Sequence, residues 1–500
     1  MTFNSYAFIF IFFPVCLIVL YAVGRRGNGR AAGLWLSLMS LLFFGFNSPR
    51  SLPVLAGSLA AGWLFLTVIR KKPAHAKACA ALAIVFHILV LGCFKYFNFF
   101  ASMAAFLSGR TYVPLDILHP LGISFITFQQ ISLVVDTVRG DAGEYSFRDY
   151  FLYILFFPKV LAGPITGFPE MKQQFDALSG LRCDSGRFAQ GGMLFLLGLG
   201  KKCILSGSLA AAADFAFAHA ASLSFGEAFV GMTAYMMELY FDFSGYCDMG
   251  RGICRMMGME LPVNFDSPLQ SLNIVDFWKR WHITLTRFLT RYLYIPMGGN
   301  RKGRRRMIAG MFLVFLISGL WHGADWTFLF WGALNGLLYI PVRLLQKKRG
   351  STAVSPGRFR KALYRILTFI LVSWIFVPFR ADSMAQYMVY NGRLFTGLLQ
   401  PQRFHFGAEF LKTFRINEIW YLMKGLHVAG RPEAPVLCMC IVMGIALFFA
   451  LVSPNAAACT EKYFAREKRP AVLTALVLAV LFVWCVLSFG KVQTYIYLQF

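Results

Sequence analysis

The stretch RKGRRRMIAGMFLVFLISGLWHGADWTFLFWGALNGLLYIPVRLLQKKR, residues 301–349, decides the fold class. Its two apolar runs, Met307–Leu320 and Phe328–Leu345, lie between two clusters of Lys and Arg. Each run approaches the roughly 20 residues that a helix needs to cross the hydrocarbon core, and basic clusters stay on the cytoplasmic side. The pattern predicts a membrane hairpin with cytoplasmic ends. Its turn, which contains His322, is expected to face the opposite side or the bottom of a cavity reached from it.

The same alternation of apolar runs and short basic segments continues along the chain. Of its 500 residues, 58% are hydrophobic and 14% are charged, whereas soluble domains carry about 25% charged residues. Counting the apolar stretches that are about as long as a membrane-spanning helix, we predict about eleven to thirteen membrane spans. The fold class is therefore an all-α polytopic membrane protein. The other predicted spans are 6–23, 31–46, 52–69, 78–107 with a break near Lys95, 151–161, 191–213, 225–240, 436–452 and 471–489.

The charge and the cysteines exclude several other classes of protein. A net charge of +26 could serve nucleic acid, but the Lys and Arg residues lie between apolar runs, as the positive-inside rule requires. The basic loops after the first and third predicted spans place the N-terminus outside the cytoplasm of a multi-pass protein of the cytoplasmic (inner) membrane. The eleven cysteines form no CxxC pair, so we expect no disulfide framework and no structural metal site.

The chain is predicted to form one membrane domain over residues 1–500, with three parts. Residues 1–110 supply N-terminal helices, residues 111–345 a core, and residues 346–500 C-terminal helices with an extracytoplasmic segment at about 380–435. Within the core, 121–138 is amphipathic and carries Gln129, which is expected to line a cavity or lie at an interface. The polar stretch 242–300 is predicted to be re-entrant or interfacial, because polar backbone at membrane depth must be buried in protein or lie beside water.

The first candidate motif is Asp276-Phe-Trp-Lys-Arg-Trp-His282. On a helix, Trp278 and His282 would share a face, and Lys279 and Arg280 could hold an anionic donor. Trp, Lys and Arg also favour the membrane interface, so these residues could instead anchor the chain there. An interfacial anchor would not account for His282. The supporting residues predicted here are Asn273, Asp276, Trp278, Lys279, Arg280 and Trp281.

The second candidate motif is Gly319-Leu-Trp-His322-Gly-Ala-Asp-Trp326, in the turn of the hairpin. An ionisable residue at membrane depth is a functional hypothesis by default. A neutral imidazole can take a proton from a hydroxyl near pH 7. A structural histidine bonded to a neighbouring helix is the alternative. Trp321, Asp325 and Trp326 are the supporting residues predicted around it.

The third candidate motif is the aromatic run from Tyr240 to Asp248. Asp242, Ser244, Tyr246 and Asp248 suggest a polar cavity wall, and a carboxylate could orient an imidazole as in a triad. We favour a structural role in which the two acids pair with Arg251 or Arg255, because neither Ser244 nor Cys247 lies in a recognisable nucleophile elbow. This motif is therefore a supporting one.

The two histidine motifs resemble the signatures of the membrane-bound O-acyltransferase family. The resemblance rests on FWKRWHITL at 277–285, YLYIPMGGNR at 292–301 and GLWHGADWTF at 319–328. Four other segments also resemble the family: LGISF at 121–125, AGP at 162–164, the run 240–248 and residues 495–500. Within the family the chain looks most like the membrane subunits of alginate O-acetyltransferases.

The resemblance implies a ring of helices around a central tunnel, with re-entrant or interfacial helices and two motif histidines. By match, His322 takes the place of the catalytic histidine and His282 that of the second one. Acyl transfer starts from a cytoplasmic thioester, with acetyl-CoA as the default donor and no bound cofactor or metal. A bacterial member passes the acyl group outward to a polysaccharide, commonly with an extracytoplasmic SGNH-type partner.

Four positions depart from the family pattern. Thr290-Arg291 stands where Arg-Asp is usual, Cys247 where Ser is usual, Asn335 where His is usual, and Ser318 where Gly is common. These departures bear on the acceptor and the partner surface, and they leave the acyltransferase class intact.

Two alternatives to this function stay open. Within the family, the chain could be a D-alanyl or other acyltransferase that uses a carrier protein and modifies teichoic acid. From another class, it could be a transporter or flippase for a polysaccharide or a lipid-linked sugar, although the internal repeats of many transporters are not evident.

Overall fold

A computed structural model describes residues 1–349, 357–398, 400, 404–466, 471–491, 495 and 496. Throughout these residues all regular structure is helical, which confirms the all-α class. Eight helices of this part of the chain are long and apolar enough to cross a membrane. With all helices numbered in chain order, they are α1 Phe8–Arg25, α2 Gly29–Asn47, α3 Pro49–Lys71, α4 Pro73–Leu107, α8 Ser185–Ala218, α13 with the apolar part Trp326–Lys347, α14 Arg358–Arg380 and α18 Ala434–Leu451.

Shorter or more polar helices complete the structure. They are α5 Ile123–Arg139, α6 Phe147–Leu155, α7 Phe168–Asp176, α9 Phe225–Met256, α10 Ile274–Arg280, α11 Ile283–Leu289, α12 Arg304–His322, α15 Met384–Leu398, α16 Ala408–Lys412, α17 Asn417–Gly425, α19 Ala456–Arg466 and α20 Val472–Ser488, while α13 extends over Trp326–Arg349. The eight apolar helices are fewer than the spans predicted, because α9 carries six charged residues, α12 begins with three arginines, α20 has only 17 residues and the span predicted at 151–161 is not a membrane helix. Conversely, α14 was not among the predicted spans.

Several predicted spans match a helix closely, and one does not. The predicted break near Lys95 is present as a π-helical turn, Gly92–Tyr96, inside α4. The predicted span 151–161 is wrong, because α6 has only nine residues and ends at Leu155. Buried irregular chain follows it, and Pro158 in that chain has no N–H to continue a helix. Non-helical backbone at this depth is tolerated because it is enclosed by protein.

Helix α9 forms the centre of the molecule. Its 32 residues are buried along nearly their whole length, and α8 packs on it through glycines. A Cβ added to Gly198 would lie 2.7 Å from the carbonyl oxygen of Gly245, and one added to Gly252 would lie 2.6 Å from that of Gly191. Small residues allow helix backbones to approach this closely in membrane proteins. The glycines therefore fix the contact between α8 and α9.

The polar stretch predicted from residue 242 begins later in the structure. Helix α9 continues through Asp242 and Asp248 to Met256, because the carboxylates of both residues find lysine partners on α8. Irregular chain then runs to α10, and two short helices, α10 and α11, follow. The segment predicted at 380–435 contains α15, α16 and α17. Helix α10 and the bend before α11 carry the first histidine motif.

Candidate functional site

His322 is the last residue of α12 and is 4% exposed. Aromatic rings surround it: the ring centroids of Trp321, Trp331 and Phe379 lie 4.8, 5.2 and 5.1 Å from that of His322. Trp321 itself stacks on Phe128 of α5 at 5.1 Å. Helices α5, α13 and α14 thus hold the end of α12, and the imidazole lies in a predominantly aromatic environment.

Lys95 supports the same helix end from α4. Its Nζ donates to the carbonyl oxygens of Trp321 at 2.7 Å and of His322 at 3.0 Å, and it lies 3.4 Å from the hydroxyl of Ser124. The last carbonyls of a helix have no intrahelical donor and carry partial negative charge. The ammonium group satisfies them. The π-helical turn of α4 places it there, as such turns often do at functional sites.

His282 lies in a bend between α10 and α11. Its backbone is left-handed, with φ 46° and ψ 51°, and its side chain is 1% exposed. The prediction that Trp278 and His282 share a helix face is wrong, since α10 ends at Arg280 and Trp281 is extended. A left-handed residue cannot continue a right-handed helix. The bend turns the imidazole inward, where it packs edge-on against Phe243 of α9 at 4.9 Å.

Asn264, in the irregular chain after α9, binds the bend through its side chain and backbone. Its Oδ1 lies 3.2 Å from His282 Nδ1 and accepts from the backbone N–H of Thr284 at 3.2 Å and the Thr284 hydroxyl at 2.8 Å. Its Nδ2 donates to Cys247 Sγ at 3.4 Å, and its carbonyl oxygen accepts from Ile283 N. Asn264 therefore joins α9, the bend and α11.

The two histidines meet at the centre of the molecule. Their ring centroids are 6.4 Å apart, and Trp321 lies 6.3 Å from the ring of His282. Residues 40 positions apart in the sequence thus form one buried site.

A cavity of about 320 Å³ approaches this site from the side of the basic loop. Ser318, which lies one helical turn before His322, and Trp278 line its inner end, and Lys279, Arg343 and Asn300 line its outer part. No acidic residue lines it within the described part of the chain. The indole N–H of Trp278 donates to Asn335 Oδ1 at 3.1 Å, and its ring packs on Trp331, which in turn contacts His322. One aromatic layer therefore separates the cavity from His322.

The other predicted residues of the first motif hold the ends of α10. Asn273 caps its N-terminus by accepting from the N–H groups of Val275 and Asp276, and it also accepts from Gln346 of α13. Arg280 forms an ion pair with Asp276 at 2.9 Å. Of the two predicted donor-binding cations, only Lys279 lies on the cavity. Trp281 packs in the core against Phe265 and Phe277.

The third motif lies on α9 and is held by lysines of α8. Lys201 donates to Asp248 at 2.7 Å and lies 3.4 Å from the Ser244 hydroxyl, while Lys202 forms a buried ion pair with Asp242. The partners are therefore lysines, and not Arg251 or Arg255. Tyr246 packs edge-on against Tyr495. Of the family-like segment 495–500, the structure describes residues 495 and 496. Ile496 N donates to Asp242 Oδ2 at 3.0 Å.

Three further predicted residues have contacts of a different kind. Gln129 accepts from the buried Lys159 at 2.5 Å. Asp325 accepts from the N–H of Thr327 at 2.9 Å and thus caps α13. Trp326 is 54% exposed and packs against Phe99 of α4. Asp325 and Trp326 therefore support the helix hairpin.

The departures from the family pattern have local partners. Arg291 pairs with Asp136 at 3.0 Å and with Asp141 at 2.8 Å, so two carboxylates balance the reversed charge. Cys247 accepts from the Asn264 amide, as a serine hydroxyl can. Asn335 supplies the acceptor for the indole of Trp278.

Asn264 and Lys95 were not among the predicted site residues. Lys95 was visible in the sequence as a lone cation in an apolar run, which is a signal for function at membrane depth. Asn264 had no such signal, because only the fold brings it to residues 18 to 20 positions later. Its role depends on tertiary contact.

The fold and the site define a class: a helical multi-pass membrane protein with two buried histidines near a cavity that carries Lys279 and Arg343. Residues 137–377 match the model of the MBOAT, membrane-bound O-acyltransferase, family. The peptidoglycan O-acetyltransferase of Helicobacter pylori is 36% identical over 482 residues, which cover 89% of this chain and 88% of that protein. The chain belongs to the membrane-bound O-acyltransferase family and is an acyltransferase.

Two other relatives show the breadth of the family. The probable alginate O-acetylase AlgI of Pseudomonas aeruginosa is 35% identical over 394 residues, 77% of this chain and 73% of that protein. The teichoic acid D-alanyltransferase of Streptococcus thermophilus is 27% identical over 285 residues, 53% of this chain and 69% of that protein. The acetyltransferase relatives match more of the chain at higher identity.

Proposed function

We propose that this protein transfers an acetyl group from a cytoplasmic thioester to an exported or cell-surface polysaccharide. One observation carries the proposal: the two motif histidines, 6.4 Å apart between ring centroids, lie one aromatic layer away from a cavity whose described lining includes Lys279 and Arg343 and no acid. The acetyltransferase relatives also align over more of the chain than the D-alanyltransferase, which favours acetyl over D-alanyl transfer.

In the proposed reaction His322 is the general base. Its imidazole takes the proton of an acceptor hydroxyl while the oxygen attacks the thioester carbonyl carbon. The C–S bond then breaks, and the leaving thiolate takes the proton back from the imidazolium to form the thiol. General-base catalysis contributes about 10²- to 10⁴-fold, and the alignment of both substrates in a buried site supplies a further large part of the rate.

The cavity is the proposed donor entrance. A thioester such as acetyl-CoA carries phosphates at one end, and Lys279 and Arg343 on the outer part of the cavity can pair with them,. A second cavity, of about 530 Å³, shares Asn300 with the first and adds Arg304 and Lys347. The acyl end would then reach the layer of Trp278, next to His322. A bound metal or cofactor has no place in this scheme.

The acceptor is proposed to reach His322 from the extracytoplasmic side of the inner membrane. Loop charges support this orientation, with the N-terminus outside. A separate SGNH-type acetyltransferase is the proposed partner that delivers the acetyl group to the final glycan. Because the Helicobacter pylori peptidoglycan O-acetyltransferase aligns with 89% of the chain, peptidoglycan is the first acceptor to test.

The test uses the full chain in proteoliposomes with radiolabelled acetyl-CoA and glycan fragments, with and without the partner. We expect label in the glycan with acetyl-CoA, and its loss in His322→Ala at normal membrane insertion. Unchanged labelling by that variant would contradict the base assignment. Transfer from an acylated carrier protein but not from acetyl-CoA would favour the D-alanyltransferase alternative, and glycan transport that survives loss of both histidines would favour a flippase.

A further inference from the structure

Asn264 is the residue that connects His282 to the surrounding backbone, and its hydrogen bonds have only one consistent direction. We propose that Asn264 is a positioning residue that keeps the neutral imidazole of His282 protonated at Nδ1, so that Nε2 presents a lone pair in the site. The inference rests on the proposed function of the two histidines and deepens it.

The direction of the hydrogen bonds begins at a backbone donor. The N–H of Ile165 donates to the hydroxyl oxygen of Thr284 at 3.0 Å. A backbone N–H can only donate, and a hydroxyl has a single proton. The proton of the Thr284 hydroxyl remains available to donate, and the other neighbour of the hydroxyl, at 2.8 Å, is the side-chain oxygen of Asn264.

A second backbone donor fixes the amide orientation, which the hydroxyl alone does not, since a hydroxyl can also accept from an amide nitrogen. The N–H of Thr284 also points at the same atom of Asn264, at 3.2 Å. An amide nitrogen cannot accept from it, so this atom is the oxygen. The amide nitrogen then faces Cys247 Sγ at 3.4 Å, and a sulfur can accept that weak bond. Exchanging O and N in the amide would break the bond from the Thr284 N–H.

The tautomer of His282 follows from this orientation. His282 Nδ1 lies 3.2 Å from the Asn264 oxygen, which can only accept, so Nδ1 must carry a proton. A neutral imidazole has one N–H, and Nε2 is then the acceptor nitrogen. The backbone holds the ring in place: Ile283 N donates to the carbonyl of Asn264, and Asp266 N to that of Arg280, on either side of the left-handed residue.

The consequence concerns what His282 can do in the reaction. With its lone pair at Nε2, neutral His282 accepts a proton or a hydrogen bond from the reacting groups, and it donates none to the thioester oxygen. It would therefore act on the hydroxyl or on the proton held by His322. The ionisable groups around it are His322, with Lys95 on the carbonyl of His322, and the Cys247 thiol beyond Asn264.

The decisive variants are Asn264→Asp and Asn264→Leu. A carboxylate accepts from Thr284 and from Nδ1 as the amide does, and the Cys247 thiol can turn and donate to its second oxygen. We expect Asn264→Asp to keep the Nδ1–H form. The acid limb of its pH–rate profile should move up by about one unit or more, because a neighbouring negative charge favours the imidazolium. Leu removes the acceptor and should lower kcat by about 10²-fold with an unchanged KM for acetyl-CoA.

The ¹⁵N chemical shifts of His282 in the full-length protein, assigned by comparison with His282→Ala, provide a readout independent of activity. Wild type and Asn264→Asp should show a protonated Nδ1 and a bare Nε2 at high pH, and Asn264→Leu should lose this preference. Cys247→Ser retains an acceptor for the amide and should keep the tautomer. His219→Ala, at an exposed histidine away from the site, is the matched control and should keep both the tautomer and kcat.

The outcomes separate this inference from the proposed function. Full activity of His282→Ala would remove His282 from the mechanism whatever its tautomer. If His282→Ala is impaired, a wild-type spectrum with the proton on Nε2 overturns the inference, even if Asn264→Leu fails to fold. A normal kcat in a folded Asn264→Leu variant would also overturn it.

Discussion

The two histidines of the site share aromatic neighbours but differ in their polar contacts. Around His282 the contacts are the rings of Phe243 and Trp321, together with Asn264, whose side chain lies at Nδ1 and whose carbonyl oxygen binds the next backbone N–H. Around His322 they are aromatic rings on the imidazole and an ammonium group on the main-chain carbonyl, supplied by Lys95. A polar network of this kind fixes which nitrogen carries the proton. Aromatic packing fixes where the ring lies.

This difference indicates which histidine exchanges the proton and which one orients the reacting groups. A general base must take up a proton and release it during each turnover, so its ring cannot be tied to one protonation state. A ring whose tautomer is set is suited to keeping one nitrogen as an acceptor throughout. The contrast therefore favours His322 as the residue that exchanges the proton and His282 as the residue that orients the reacting groups.

The largest expected effect comes from removing His322. His322→Ala should lower kcat by about 10³-fold, within the range for loss of a general base, and His282→Ala should lower it by about 10²-fold, the scale of lost positioning. Acetyl transfer in proteoliposomes measures both. His219→Ala, at an exposed histidine away from the site, is the control for normal activity. Equal losses in the two site variants would remove the division of roles.

The sequence predicted the helical class and the boundaries of most apolar helices, because apolar length alone indicates a membrane helix. It failed where tertiary contacts override local pattern. Helix α9 continues through Asp242 and Asp248 because lysines of α8 pair with them, and α6 stops at Leu155 although apolar residues follow it. Neither the pairing nor the enclosing protein can be inferred from the hydropathy of one segment.

The site shows the same limit. Both histidines were found from their motifs, yet the helix face predicted for Trp278 and His282 was wrong, since nothing local to the sequence indicates the left-handed backbone at His282. The backbone of Asn264 binds that bend. Asn264 itself was missed for the same reason. Long-range hydrogen bonds to an ordinary amide have no pattern in the sequence.

The next effect tests the support of His322. Lys95→Met keeps the length of the side chain but leaves the carbonyls of Trp321 and His322 without their charged donor. We expect kcat to fall about 10-fold, since an altered helix end displaces the ring, and an unsatisfied buried carbonyl costs about 1–3 kcal/mol. Lys95→Arg retains a charged donor and should recover part of kcat. Unchanged kinetics of the Met variant would show that aromatic contacts alone position His322.

A smaller effect is expected at Asn335, which joins the wall of the proposed donor cavity to the aromatic residues around His322. Asn335→Leu leaves the indole N–H of Trp278 without its acceptor, and this should cost about 1–3 kcal/mol of unfolding free energy. Asn335→His, the residue more usual in the family, can accept the same bond and should cost less. Thermal unfolding in detergent micelles compares the two variants, and equal losses would contradict the role given to this hydrogen bond.

The smallest effect concerns the backbone of His282. Its φ of 46° suits glycine, whereas an L-residue in the left-handed region costs about 1–2 kcal/mol. Both His282→Gly and His282→Ala lose the ring. The Gly variant should have the higher free energy of unfolding, by about 1 kcal/mol after the greater entropy of its unfolded chain is subtracted, and should therefore unfold at the higher temperature. Arg287, exposed within α11, is the matched control: there Ala should be the more stable residue, by about 1 kcal/mol. If Ala is also more stable at position 282, the hydrogen bonds of Asn264 do not hold this residue in the left-handed conformation. The difference between the two histidines would then rest on their side-chain contacts alone.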